Sequence, residues 1–387
     1  MLWENYVLAV GNQAHELWDS MYADREASIL FISGIGFDTR GCLVLEAFLD
    51  NLKNSSSNVR EAKLLLVDFS GYELEEALST LTNSNEERMR NAFSEFGEIE
   101  EVSIRRSESG EDDLSPSMAL KLGTERVTDH IINGVTDVIL DVSSLPRIVY
   151  VSLMAGILRK LIPDFNAPNA LYAGGVHFQV LVAEDPELDG EIQSLDPSND
   201  TIFVPGFSSA LHAESYNAWP LVWFPILGEG RVPQYEKIKQ DIESESLETC
   251  PVLPHPSRNP KRGDLLLIEY RISLQSDDQA PISNILYAHE GNPFEAYRQM
   301  LNAIRRYITS MKLLGGSRIA VTPLASKLIT IGAGLACLES HVNETGNGYI
   351  VTMPYVEPTR YTAPLEMLES ARPEISSLLL TGPAYQV

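Results

Sequence analysis

Apolar positions along the chain recur at two spacings, and the two alternate. Residues 28–32, 64–68 and 135–142 are short, nearly continuous apolar runs bounded by turn residues, the pattern of strands buried on both faces. Around and between them, residues 4–23, 43–52, 72–96 and 116–132 place apolar side chains three and four apart, which predicts helices. A third strand is predicted over 102–105, with a polar, acidic loop over 107–115 behind it. Pro146 suits the start of the next helix, and the run 149–161, closed by Arg159 and Lys160, predicts a buried one. A strand follows over 176–183, and residues 184–216, rich in Asp, Ser, Pro and Asn, read as an irregular insertion. Further on, 221–227 reads as a strand, with a helical stretch to 242.

Residues 251–263 carry four prolines together with Arg258, Lys261 and Arg262, the composition of a linker. Beyond it, strands are predicted over 265–272, 282–289, 318–321 and 349–353, and helices over 293–314 and 326–339. Strands alternating with helices imply βαβ units. The fold class is therefore α/β, Rossmann-like, with mainly parallel sheets, helices on both faces and two similar halves. The expected division is a Rossmann-like domain over 1–250, a linker over 251–263, and a smaller α/β domain over 264–387.

Charge narrows the function. The formal net charge is −25, with 29 Lys and Arg against 54 Asp and Glu. So acidic a surface repels nucleic acid and anionic lipid at long range, which disfavours broad nucleic-acid binding. No apolar run reaches transmembrane length, so no membrane association is expected. The opening residues, Met1-Leu2-Trp3-Glu4-Asn5, lack the basic start and apolar run of a signal peptide. Cys42, Cys250 and Cys337 are scattered and odd in number, with no metal-ligand spacing among them. Together these point to a cytoplasmic protein with no metal site.

Chemistry is sought beyond the carboxyl ends of parallel strands, where such sheets bind ligands. The first such loop holds Ser33, Gly34, Gly36, Asp38 and Arg40, offering backbone N–H groups and a helix N-terminus to an anion. The bland alternative is a tight turn in which Asp38 caps the helix and Arg40 pairs with Asp38 or Asp68. Asp68, closing the next strand, stands where an acidic residue binds ribose hydroxyls. Ser143, Ser144 and Arg147 follow the central strand, where the serines either cap a helix or line a site. In the second half come Arg231, then Thr322, Ser326 and Lys327, with His289 the one histidine placed to act as acid or base. Arg40, Arg147, Arg231 and Lys327 each follow a strand, and four such cations in so acidic a chain argue for a phosphate or carboxylate ligand. No nucleophile elbow, P-loop or zinc-protease motif is present.

Two local resemblances give the ligand a class. The stretch from Phe31 to Arg40, with Val67-Asp68, resembles the first motifs of the leucine carboxyl methyltransferase family. That implies S-adenosylmethionine at Gly34, Gly36 and Asp68, with Arg40 near a carboxylate. The stretch Thr322 to Glu339 is similar to a segment of CRISPR-associated Rossmann-fold sensor domains, which bind cyclic oligonucleotides. The expectation is a regulatory or sensor protein that binds a nucleotide-like anion and acts through a protein partner or as a homo-oligomer. The alternatives are a methyltransferase and a structural subunit of a complex.

Overall fold

The computed structural model describes residues 1–23, 25–54, 57–69, 71–104, 115–132, 134–244, 247–274, 284–344 and 346–386. Arg105 and the acidic segment 107–114, assigned above to a strand and a loop, lie outside the described residues, as do 282 and 283.

In chain order the first elements are β1 (Val7–Val10), α1 (Asn12–Tyr22), β2 (Glu26–Ile35), α2 (Arg40–Asn54), β3 (Asn58–Asp68), α3 (Glu76–Phe93), β4 (Glu98–Ser103), α4 (Pro116–Asp129), β5 (Asp137–Asp141), α5 (Arg147–Leu161), β6 (His177–Glu184) and α6 (Pro186–Glu191). Then come β7 (Gln193–Phe203), β8 (Leu221–Ile226), α7 (Val232–Asp241), β9 (Leu247–Thr249), β10 (Val252–Pro254), α8 (Arg262–Glu269), α9 (Arg271–Leu274), β11 (Leu286–Ala288), α10 (Pro293–Met311), β12 (Ser317–Pro323), α11 (Lys327–Val342) and β13 (Tyr349–Thr352). The chain closes with β14 (Pro354–Thr362), α12 (Leu365–Glu369) and β15 (Glu374–Thr381).

The chain divides into two compact units, but not at the proline-rich stretch. A discontinuous unit comprises Leu2–Gln193 and Arg360–Val387, and an inserted unit comprises Ser194–Thr359 with Met1. This corrects the linker over 251–263. Val252, Leu253 and Pro254 are buried as β10, paired with β8 and β11 inside the inserted unit's sheet. The prolines flank and end a strand, a position they tolerate because the ladder needs no further N–H there. The crossings between units fall instead in β7 and β14, which pair as a two-stranded sheet.

The discontinuous unit holds a seven-stranded sheet in the order β1-β15-β6-β5-β2-β3-β4. Strands β2 to β6 run parallel, while β15 is antiparallel to both β6 and β1. One face carries Ile29, Phe31, Leu64, Leu66 and Ile139 into a core with Trp18, Phe48 and Phe93 from α1, α2 and α3. The alternating residues Leu30, Ile32, Leu65 and Val67 are also buried, and α4 and α5 pack on one another. Successive side chains point to opposite faces, so a continuous apolar run needs cover on both. Residues 7–10 form a strand rather than the start of a helix, because they pair with Leu379 to Ser376 of β15.

The inserted unit has its own sheet, in the order β11-β10-β8-β12-β13, with β9 beside β8, and every pairing is parallel. Numbering parallel strands from the first in each unit, β2-β3-β4-β5-β6 and β8-β10-β11-β12-β13 both give the order 3-2-1-4-5. The two halves thus share the doubly wound arrangement, each with its order reversing between the first and fourth strands. Residues 265–272 are helical, not a strand. The irregular insertion over 184–216 contains α6 and β7.

Candidate functional site

In the discontinuous unit the order reverses between β2 and β5, and the loops after these strands touch. Ser33 and Gly34 lie inside β2 rather than beyond it. Ser33 is fully buried and donates to Asp141 Oδ2 at 3.0 Å. Ser144 Oγ donates to the Gly34 carbonyl at 2.8 Å. A Cβ on Gly34 would stand 2.6 Å from Leu145 Cδ2, and one on Gly36 3.3 Å from the Ser144 carbonyl oxygen. The close approach of the β5 loop therefore leaves no room for a Cβ at Gly34 and little at Gly36. The Gly36 carbonyl accepts from Asn85 Nδ2 at 3.0 Å.

Ser143 and Ser144 do not cap α5, whose N-cap is Pro146. Ser143 donates to Asp141 Oδ1 at 2.5 Å and accepts the Ala183 amide at 3.0 Å, tying β5 to β6. Arg40 is corrected more sharply. It is 1% exposed and grips Asp38 through Nε at 2.9 Å and Nη2 at 2.7 Å, with Nη1 on Asp189 at 2.6 Å. Two carboxylates already occupy its donors, so it holds the loop and α6 together instead of facing a ligand. Against the cost of burial, these carboxylates raise its pKa further above the ordinary value. Thr39 Oγ1 donates to the Leu368 carbonyl, anchoring the same loop to α12. Asp68 closes β3 half-buried, and its carboxylate has no hydrogen bond or ion pair among the described residues. Arg147 is the first residue of α5 and half-buried.

In the inserted unit the order reverses between β8 and β12. A Cβ on Gly228 would stand 2.1 Å from the Leu324 carbonyl oxygen, so this glycine too admits the opposing loop. Its carbonyl accepts from the Tyr270 hydroxyl at 2.7 Å. Gly230 has φ +68°, and its N–H donates to Glu269 Oε1 at 2.8 Å. Arg231 is the half-buried N-cap of α7. Thr322 lies within β12, fully buried, and accepts from Trp223 Nε1 at 2.8 Å, so its oxygen serves the core.

Ser326 and Lys327 differ. Ser326 is the N-cap of α11, yet its side chain makes no capping bond. Its Oγ is buried and has no hydrogen-bond partner among the described residues. The same holds for Thr330 Oγ1, one turn along α11. Lys327 opens the helix beside them, half-buried. A buried hydroxyl left without a partner costs about 1–3 kcal/mol, which a ligand oxygen would recover.

Two residues that the sequence reading passed over also sit here. Arg262, assigned to the linker, opens α8, donating to Glu229 Oε1 at 2.5 Å and Oε2 at 2.6 Å and, through Nη1, to Glu290. Burial alone would raise the Glu229 carboxyl, but Arg262 holds it below the ordinary value. Glu269, on the misassigned strand, is the other. His289 Nδ1 accepts the Gly291 amide at 3.2 Å.

The four strand-end cations divide two and two: Arg40 and Arg147 in the discontinuous unit, Arg231 and Lys327 in the inserted one. No cluster of three or more metal-ligating side chains occurs among the described residues. No helix among them is long and apolar enough to cross a membrane.

No protein-family model matches the chain, and no curated protein matches it. Among solved structures it is similar to a phosphoglycerate mutase of Leishmania mexicana, at 8% identity, TM-score 0.25, covering 94% of this chain and 72% of that one. It is also similar to S. aureus MnaA in a co-structure with UDP, at 9% identity, TM-score 0.19, covering 83% and 89%. Likenesses of this size carry nothing for function, which rests on the geometry of the strand-end loops alone.

Proposed function

We propose that the protein binds a nucleotide-like or phosphate-bearing anion at the carboxyl end of the inserted unit's sheet, near Gly228, Arg231, Ser326 and Lys327, in a regulatory or sensing role towards a protein partner. The observation that carries this reading is the buried Ser326 hydroxyl, without a hydrogen-bond partner among the described residues, beside Lys327 at the start of α11. A helix N-terminus favours negative charge, and a lysine there is accommodated best when an anion shares the position. Arg147 repeats the placement in the discontinuous unit, at the head of the helix after the fourth parallel strand. The sensor-domain resemblance over Thr322 to Glu339 supports the same ligand class. A thermal-shift screen with mononucleotides, dinucleotides and cyclic oligonucleotides tests it. A ligand that raises the melting temperature of the wild type, and less so that of Lys327→Ala, supports the reading. No shift with any of them rejects it.

A second reading, S-adenosylmethionine-dependent methyl transfer, is favoured by the Asp68 carboxylate at the end of β3, which has no hydrogen bond or ion pair among the described residues. Leu145 and Ser144 against Gly34 weigh against it, since a cofactor there would have to displace them. A thermal shift with S-adenosylmethionine that Asp68→Ala abolishes would favour this reading over the first.

A further inference from the structure

Leu265, Ile268 and Ile272 are 54%, 67% and 78% exposed. They stand three and four residues apart on α8 and α9, which continue one another. The Tyr270 amide donates to the Leu266 carbonyl and the Leu274 amide to the Tyr270 carbonyl, both at 2.9 Å. The opposite face, with Leu266, Tyr270, Ser273 and Leu274, is buried. The three exposed side chains therefore form one outward stripe. Isolated exposed apolar residues are ordinary, but a contiguous stripe rimmed by charge marks a contact surface.

We propose that this stripe is where a second copy of the chain docks, helix against helix about a two-fold axis near Ile268. The charges around it select that occupant. Lys261, Asp264, Glu269 and Arg271 are all exposed, and their charges balance. In a chain of net charge −25 this is a neutral face, so two copies meet here with little mutual repulsion. The order along the helix is also self-complementary. In an antiparallel pair Ile268 meets Ile268 of the second copy, Leu265 lies beside Ile272, and Asp264 comes beside Arg271. A parallel pair would instead oppose Asp264 to Asp264 and Arg271 to Arg271, so the charges fix the antiparallel register. A two-fold contact of this kind uses the same patch twice. The helical stretch from Arg262 to Leu274 is only about 20 Å long, so the interface is small and the dimer forms only as concentration rises.

The inference is independent of the ligand reading, and its test needs no nucleotide. Sedimentation equilibrium of the full chain over a concentration series is expected to show a reversible monomer–dimer equilibrium. Ile268→Asp, an exposed substitution that leaves the melting temperature unchanged, is expected to shift it to monomer. Asp264→Arg weakens the dimer, and adding Arg271→Asp restores it. Because Cys42, Cys250 and Cys337 are all buried, Ile268→Cys presents a new accessible thiol and is expected to give a disulfide-linked dimer with a mild oxidant. A chain that stays monomeric throughout overturns the proposal. So does a dimer that survives Ile268→Asp and is not linked through Ile268→Cys.

Discussion

Replacing Arg40 with methionine tests whether this residue holds a loop or waits for a ligand, because the structure gives its two carboxylate partners unequal weight. The Asp189 side chain is 44% exposed, so its contact is screened by water and is worth at most about 1 kcal/mol. The Asp38 side chain is 10% exposed and takes two good hydrogen bonds from the guanidinium. Removing the guanidinium leaves that buried carboxylate without its counter-charge, although Oδ1 keeps the backbone N–H of residue 40 at 3.1 Å, and costs about 3–5 kcal/mol. Arg40→Met is therefore expected to destabilise the discontinuous unit by about 3–5 kcal/mol, and Asp189→Asn by less than about 1 kcal/mol. The double variant Arg40→Met/Asp38→Leu should be more stable than Arg40→Met, since the only carboxylate it leaves without Arg40 is the exposed Asp189. Urea unfolding followed by tryptophan fluorescence reads these values, and amide exchange in β2 and α2 assigns the loss to this unit. If Arg40→Met cost under about 1 kcal/mol while weakening anion binding, the structural assignment of Arg40 would be refuted.

The two switch-point glycines should differ in tolerance. Gly228→Ala drives a Cβ into the Leu324 backbone and should cost about 3 kcal/mol or more, whereas Gly34→Ala meets side-chain atoms alone, of Leu145 and Ser144, and should cost about 1–2 kcal/mol, both read by urea unfolding. Thr322→Val strands the buried Trp223 indole N–H, with an expected loss of about 1–3 kcal/mol and a shift in tryptophan emission. Burial depresses the pKa of His177 below the usual 6.5, with Asp137 pulling the other way. Below about pH 6.5 the unfolded chain gains a proton that the folded chain resists. The His177 contribution to stability is therefore intact above that pH and declines as pH falls towards the depressed folded value. His177→Asn should flatten this slope in melting temperatures measured across the range.

The strand grammar was legible where a run is buried on both faces, as in β2, β3, β5, β8 and β12. It failed at Leu265-Leu266-Leu267-Ile268, because four consecutive apolar residues fit a short strand and a helix equally. Here Leu266 and Tyr270, four apart, are what the core receives. β1 was hidden because Val7 and Leu8 also fit the helical spacing of Leu17 and Met21. Its strand form comes from β15, whose pairing residues lie near the other end of the chain. The domain boundary was misplaced for the same reason: nothing local to residues 360–387 says that they return to the first sheet. At the site, the residue types in the strand-end loops were legible, and their partners were not. Asp189 reaches Arg40 from 149 positions away, and Arg262 gathers Glu229 and Glu290 from 33 and 28 positions away.

Calorimetric titration of the wild type, Lys327→Ala and Ser326→Ala with the same nucleotide panel tests the central claim most directly. The account predicts that at least one phosphate-bearing nucleotide binds the wild type. It also predicts that Lys327→Ala weakens that binding about 10- to 100-fold, the worth of a charged hydrogen bond, and Ser326→Ala about 3- to 10-fold, with folding unchanged. A wild-type chain that binds none of them, or binding that both variants leave intact, contradicts it.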